Sequence, residues 1–523
     1  MKKILLIITL YSSFSYSQII NSLNEYQDRN KITEAIYDEA TNNSQLESLA
    51  HELFDVIGPR LVGTPQMQKA HDWAVSKYSS WGISAYNHNY GIWKGWERGV
   101  THIDMLEPRI RTLSGRQLAW SPSTKKKGIT AEVVNFPEIE SSQDFKNWLK
   151  TIKGKFILVS QYQPTGRPDS NWEEFATPES LEKMKNARRD ASRKWFFKLI
   201  NTGYGYRDIG QAFENAGAVG LISSYWSEVP GANKVFYART KRIPNIDINL
   251  EDYGTLYRLA NSGKKPVIKI IATSKEYGSV PTFNTIAQIK GVEKPDEYVI
   301  LSAHFDSWDG AQGSTDNGTG TLVMLEAMRI LKKVYPKPKR TILVGHWGGE
   351  EQGLNGSRAF VEDYPKIIDK TQAVFNQDNG TGRVVELSGQ GFLHSQKFLT
   401  RWLSSVPSNI KKHIKTEFPG LPGEGGSDYA SFVAAGIPAF SLSSLSWDYS
   451  RFTWHTNLDT YDKIVFDDVR SNVILTAILA YKASEEKEIV SRDKREMPID
   501  PRTGRKRDWP KKSKPNRDGT NPY

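Results

Sequence analysis

Four short, largely apolar runs set the rhythm of the C-terminal half. They occupy positions 298–301, 341–344, 373–375 and 439–442, and each has the length and composition of a strand buried on both faces. Between the first two, the stretch 319–334 places Val323, Ala327, Ile330 and Val334 on one face at helical spacing, and Pro336 and Pro338 stop it. Strands alternating with helices predict an α/β fold, a mixed sheet flanked by helices on both faces. In such folds, functional groups gather at the carboxyl ends of the strands.

The N-terminal half has a different texture. Residues 19–50 are polar and helix-compatible, and 51–82 are amphipathic around the loop Gly58-Pro59-Arg60-Leu61-Val62-Gly63-Thr64-Pro65. Further on, short strands at 156–160 and 218–223 alternate with helices at 183–198 and 208–217. This reads as a smaller α/β unit placed between two parts of a larger one. The predicted organisation is 18–120 and 281–490 for the larger domain, 121–280 for the insertion and 491–523 for a tail.

Composition narrows the chemistry. The 523 residues contain no cysteine, which excludes disulfides, thiolate metal ligands and a cysteine nucleophile. Any metal must therefore be held by His, Asp and Glu. Lys2 and Lys3, the apolar stretch 4–10 and the small residues Ser15 and Ser17 form an export signal over residues 1–17. The stretch is far below the ~20 residues that span a bilayer, and no later segment is long enough. The expected location is periplasmic or extracellular. Net charge is +11, and the tail concentrates much of it. Being rich in Pro, Gly and Asn, the tail reads as a flexible, solvated basic end rather than a nucleic-acid arm.

The candidate chemistry follows the apolar runs. The first leads into Ser302-Ala303-His304-Phe305-Asp306. A glycine-rich loop, Gly313-Ser314-Thr315-Asp316-Asn317-Gly318, then opens the 319–334 helix. The second run leads into Gly345-His346-Trp347-Gly348-Gly349-Glu350-Glu351, and the third into Asn376-Gln377-Asp378-Asn379-Gly380. Beyond the fourth comes Trp454-His455-Thr456-Asn457-Leu458-Asp459. Each alone has a plain explanation as a turn, a cap or a packed histidine. Together, two histidines and three carboxylates at converging strand ends suit zinc with a bridging carboxylate.

These five segments, in this order, resemble the co-catalytic di-zinc exopeptidases, a family that includes bacterial leucyl aminopeptidases, glutamate carboxypeptidase and carboxypeptidase Q. Among these the arrangement looks most like carboxypeptidase Q. The middle segment resembles the protease-associated domain that several members carry. The resemblance implies two zinc ions per chain, held by His304, Asp316, Glu351, Asp378 and His455, with Asp316 bridging. The division of Glu351, Asp378 and His455 between the ions stays open. It further implies Glu350 as general base, acting on a metal-bridged hydroxide, and Asp306 as the residue that orients the His304 ring. It also makes Asp316-Asn317 a candidate cis peptide.

Tyr449, and after it Trp447, are candidates for an oxyanion hydrogen bond, with an aromatic pocket wall as the alternative role. Tyr429 lies in the loop-to-helix segment that approaches the substrate end in relatives, where a His often stands near Asp428 and Tyr429. His346 reads as a packed residue and Arg60 as structural.

The implied activity is hydrolysis of terminal peptide bonds in small peptides, of aminopeptidase or carboxypeptidase/dipeptidase type. Dimers are frequent in the family, which makes a homodimer a further expectation. Two other classes share the fold. Glutaminyl cyclases are compact and lack the insertion, and receptor-like relatives have lost ligands that this chain retains.

Overall fold

The computed structural model describes residues 31–205, 207–378 and 380–519. The export signal read at 1–17 lies outside them. No helix among the described residues is long and apolar enough to cross a membrane.

Among the described residues, fourteen strands appear in chain order: β1 (Ser84–Glu107), β2 (Arg111–Thr112), β3 (Gly115–Gln117), β4 (Ile129–Asn135), β5 (Phe156–Leu158), β6 (Gly220–Ser223) and β7 (Asn245–Ile248). There follow β8 (Val267–Ile289), β9 (Lys294–His304), β10 (Arg340–Trp347), β11 (Thr371–Asn376), β12 (Val384–Ser388), β13 (Lys415–Glu417) and β14 (Ala439–Ser444). The four apolar runs are the cores of β9, β10, β11 and β14. These strands are mutually parallel in the order β14-β11-β9-β10, with antiparallel β12 and β8 on either side. The sheet is therefore mixed, as its sequence pattern predicts.

Helices cover both faces. The Thr319–Val334 helix has the bounds its periodicity predicts and packs, with Phe466–Glu485, on one face of the central strands. On the other face lie Asn355–Asp363 and Tyr429–Ala434, whose Phe360, Phe432 and Val433 pack with Trp347 and Ile300. The Pro65–Ser80 helix starts where Thr64 accepts the Met67 N–H at 3.1 Å, with Pro65 as its first residue.

The connection to the smaller unit is a long ribbon. β1 and β8 pair antiparallel along nearly their whole length, with irregularities at Gly95/Trp96 and Arg98/Thr101. At one end, β8 joins β10 through Thr285–Ile289; at the other, it joins β4 through Val267–Ile270. Strands β4-β5-β6-β7 continue in parallel, and β3 closes that edge antiparallel to β7. This part has cores of its own, one around Phe156, Ile246 and Ile268 and another around Phe145, Phe213 and Leu221. The expected 183–198 helix extends over Pro178–Asn201, and 208–217 contains Ile209–Asn215.

The tail differs from the flexible end its composition suggests. Residues 491–519 lie along the larger unit. The Trp509 ring packs on Phe392, and its indole donates to the Val433 carbonyl at 2.9 Å. Arg517 pairs with Asp363 and Glu362 at 2.7 and 3.2 Å, while Arg495 donates to the Gly420 carbonyl. One aromatic anchor and specific arginine contacts outweigh the polar composition. Lys511, Lys512 and Lys514 stay exposed.

Candidate metal centre and its cover

The parallel strands deliver the candidate ligands to one rim. His304 ends β9. Glu350 and Glu351 follow β10, Asp378 follows β11, and Asp316 lies in the loop that opens the Thr319–Val334 helix. Two sets of side chains come together: His304, Asp316 and Asp378, and Asp316, Glu351 and His455. Within each set, one ligand atom per residue lies within 4.8 Å of the others. His304 Nε2 stands 3.5 Å from Asp316 Oδ1 and 3.3 Å from Asp378 Oδ1. His455 Nε2 stands 3.4 Å from Asp316 Oδ2 and 3.0 Å from Glu351 Oε2. Asp316 is common to both sets, with one oxygen turned to each histidine. Glu350 belongs to neither set; its carboxylate is 3.9 Å from His304 Nε2.

The donor set is suited to metal cations. Four carboxylates crowd around two imidazoles in a buried place, which is costly without compensating positive charge. Burial pushes Glu350 and Glu351 well above the ordinary glutamate range. Burial alone would depress His304, but Asp378 and Glu350 outweigh it and raise the imidazole. His455 falls to about 4 through burial, so it is a neutral ring able to coordinate. Glu351 Oε1 is buried with no hydrogen-bond partner, an unusual state for a carboxylate oxygen unless an ion completes it.

The surroundings hold these groups in place. Arg60 is fully buried, and its guanidinium donates to the Phe305, Gln312 and Gly313 carbonyls at 2.8, 2.9 and 2.7 Å. It ties the end of β9 to the Asp316 loop, the structural role expected of it. Gly313 has φ +60°, and a Cβ there would stand 2.3 Å from the Ser307 Cβ, so only glycine fits this closure. The Asp316–Asn317 peptide is cis, in agreement with the resemblance.

Asp306 faces the His304 ring, as the implied role requires, and has a second task besides. The His304 Nδ1 partner at 3.0 Å is the backbone oxygen of Asp306. The carboxylate, 3.6 Å from that nitrogen, also accepts the Glu350 and Glu351 N–H groups at 3.1 and 3.2 Å. It therefore fixes the turn that presents both glutamates.

The other candidates separate. Burial and nearby acidic groups raise Tyr449, and the Tyr449 hydroxyl helps to lower Asp316, which places it at the site. Burial raises Tyr429, with a further contribution from Asp378. Trp447 is 55% exposed and donates to Asp468 at 2.9 Å, so it faces the Phe466–Glu485 helix rather than the ligands. His346 is buried against Tyr78, its Nε2 2.7 Å from the hydroxyl, and is a packed residue.

Sequence reasoning missed several contributors. Asp459 accepts the Thr315 and Asp316 N–H groups at 2.7 and 3.0 Å, fixing the backbone of the shared carboxylate. Asp428 is fully buried beside the cluster, and burial lifts its carboxyl to about 7. The smaller unit also reaches the site. Val235 N–H donates to the His455 carbonyl at 2.7 Å, and Asn457 N–H to the Asn233 carbonyl at 2.9 Å. Asn233 N–H donates to Asn457 Oδ1 at 2.6 Å, and its side chain to Asp247 at 3.1 Å. Phe236 and Trp308 meet the His455 ring at 5.2 and 5.8 Å between centroids, and Trp454 stacks on it at 4.1 Å.

Comparison with known proteins agrees with this architecture. Carboxypeptidase Q of Mus musculus is 28% identical over 486 residues, covering 92% of this chain and 94% of the mouse protein. Carboxypeptidase Q of Homo sapiens is 28% identical over 461 residues, covering 88% and 89%. Two solved structures share the fold. A peptidase M28 precursor from Shewanella amazonensis SB2B has a TM-score of 0.64 at 23% identity, covering 88% of this chain and 98% of its own. BSAP, a zinc aminopeptidase from Bacillus subtilis, has a TM-score of 0.54 at 21% identity, covering 86% and 98%. Residues 284–477 match the model of Peptidase family M28, and the cluster of His304, Asp316, Glu351, Asp378 and His455 lies inside the matched segment.

Proposed function

We propose that this protein is an exported di-zinc exopeptidase that hydrolyses terminal bonds of small peptides. The observation that carries this reading is the pair of ligand sets sharing Asp316, with Glu350 beside them but outside both. His304 and Asp378 would hold one zinc, Glu351 and His455 the other, with Asp316 between them. Zinc bound there supplies Lewis acidity toward the scissile carbonyl and a nucleophile available near neutral pH.

The chain's own groups do the rest. Glu350 takes the proton from the attacking water and returns it to the leaving amine. Asp306 holds Glu350 and Glu351 by their backbone N–H groups. The Tyr449 hydroxyl donates to the oxygen on which charge develops. Residues 121–280 act as a protease-associated insertion between 18–120 and 281–490, supported by their separate cores and by the ribbon that leads to them. Their cover over the His455 side restricts the cleft to short peptides.

The test strips the protein with a chelator, reloads it with zinc, and compares native protein with Glu350→Gln on short and long peptides. Recovery of activity at about two zinc per chain, loss in Glu350→Gln and a preference for short peptides are expected. Zinc binding without cleavage would turn the reading toward a binding protein.

A further inference from the structure

The tail is pinned to the larger unit at two places, and between the pins it borders a cavity. At one pin, Trp509 packs on Phe392 and donates to the Val433 carbonyl. At the other, the Asn516 N–H donates to Asn355 Oδ1 at 2.8 Å and Arg517 pairs with Asp363. Residues 510–514, between the pins, form one wall of the cavity, and the Asn355–Asp363 and Tyr429–Ala434 helices contribute the facing walls. Its volume is about 420 Å³, inside the range of about 300–1,000 Å³ of small-molecule sites. None of the five candidate metal ligands lines it, and neither does Glu350.

The lining is of two kinds. Leu354, Val361 and Ala430, all buried, supply an apolar patch that Ala434 extends. Cations supply the rest: Arg358 from the first helix, and Lys511, Lys512 and Lys514 from the tail. Lys511 is paired with Asp508 at 3.3 Å. Among the described residues, the side chains of Arg358, Lys512 and Lys514 have neither an ion pair nor a hydrogen bond. Of the two acids in the lining, Glu362 is paired with Arg517 at 3.2 Å, and Glu424 is exposed on a glycine-flanked loop. Positive charge is therefore in excess. Arg358 is half-buried; burial lowers its pKa, and Asp428 and Glu350 counter that from beyond ion-pair distance. A partly desolvated guanidinium without a carboxylate on it gains from an incoming oxyanion. Its planar fork of donors matches a carboxylate or phosphate at two points.

We propose that the cavity bordered by the tail binds a small amphipathic oxyanion, a carboxylate or phosphate monoester on a short apolar chain. The head pairs with Arg358, the body lies against Leu354, Val361 and Ala430, and Lys512 and Lys514 add attraction at the rim. The site is separate from the metal centre and stands independently of the exopeptidase reading. It also gives a role to a tail that is held firmly at both pins yet keeps two lysines clear of protein partners.

The zinc-loaded full chain is titrated calorimetrically with octanoate, octyl phosphate, butyrate, inorganic phosphate and octylammonium. Octanoate or octyl phosphate should bind, and the tighter of the two names the preferred head. Burying a methylene is worth about 4-fold in affinity, so octanoate should bind about 10-fold or more tighter than butyrate. Octylammonium should not bind. Arg358→Gln should weaken the octyl anions about 10-fold or more, and Arg358→Lys should keep part of the affinity. Lys512→Gln combined with Lys514→Gln should cost about 2- to 5-fold, a loss that shrinks as salt is raised. Ala434→Phe fills the cavity with every charge in place and should abolish binding. Unfolding midpoints and zinc content show that each variant keeps its fold. Absence of binding by both octyl anions overturns the proposal. So does octylammonium matching octanoate, inorganic phosphate matching octyl phosphate, or an affinity that neither Arg358→Gln nor Ala434→Phe changes.

Discussion

His304 and His455 occupy equivalent places in the two ligand sets, yet the molecule secures them by opposite means. His304 ends a strand buried between β10 and β11, is 1% exposed, and has its second nitrogen bonded to the Asp306 backbone. His455 sits in a loop at φ +57°, and its Nδ1 is buried without a partner. What holds it is a clasp from a segment far away in sequence: Val235 on its backbone carbonyl, Asn233 on the backbone and side chain of Asn457 two residues on, and Phe236 on its ring. The rim made by parallel strands is a consequence of core packing, whereas the loop side is held by contacts with the 233–236 segment. One histidine of the cluster is thus built into the central sheet, and the other is held by the 233–236 segment.

The largest effect should come from the chemistry that both halves serve. Glu350→Gln removes the proton acceptor and leaves every candidate ligand intact. Loss of a general base typically lowers turnover by about 100- to 10,000-fold, with zinc content measured by mass spectrometry unchanged. Loss of zinc together with turnover would show that Glu350 is a ligand, and the two-set geometry would need redrawing.

The comparison itself is sharpened at Asn233. Asn233→Ala breaks the side-chain link to Asp247 while keeping the backbone bonds, and Asn457→Ala removes the acceptor of the Asn233 N–H. Supporting groups around metal ligands are worth about 10- to 100-fold in affinity. Each variant should weaken zinc binding by that order for one ion, the one shared by Glu351 and His455, with the other retained. Competition with a chromogenic chelator reads the two affinities separately. Equal weakening of both sites would mean that the clasp supports the fold as a whole rather than His455.

Metal removal gives a smaller, global version of the same contrast. At free zinc 100-fold above its dissociation constant, binding stabilises the folded protein by about 2.7 kcal/mol. Chelation should lower the unfolding midpoint accordingly. Amide exchange should rise first in the 449–459 loop and the 233–237 segment, and only later in β9 and β10.

The same division explains what could be read from sequence. The β9, β10, β11 and β14 runs, the 319–334 helix and the convergence of His304, Asp316, Glu351, Asp378 and His455 were all legible, because buried parallel strands write themselves as apolar runs and their polar sequels converge by topology. The clasp was not legible: Asn233, Val235 and Asp247 have ordinary local patterns, and their role depends on a docking that no periodicity encodes. Asp459 stood in a quoted segment, but its capping of Thr315 and Asp316 links positions 144 and 143 apart. The role of Asp306 was only half visible, since its carboxylate also holds the Glu350 and Glu351 N–H groups. Trp447, chosen for its nearness to His455, lies on the far side of a turn in which it and Asp448 have positive φ.

The tail offers the smallest effect and a control for the others. Its composition pointed to a free end, but Trp509 seats it against Phe392, on the face of the sheet that carries Asn355–Asp363 and Tyr429–Ala434. Trp509→Ala removes that anchor and the indole bond to Val433. The ring is half-buried, so the loss should be about 1–2 kcal/mol, below the 3–5 kcal/mol of a fully buried tryptophan. Urea denaturation should show a lowered midpoint with an unchanged slope. Turnover and both zinc affinities should stay at the native values, because none of the contacts made by Trp509 belongs to the strand-end rim or to the clasp. A drop in zinc affinity would mean that the tail reaches the centre through the Asn355–Asp363 helix, whose Asn355 also accepts the Asn516 N–H at 2.8 Å, and would extend the docked half of the molecule to a third region.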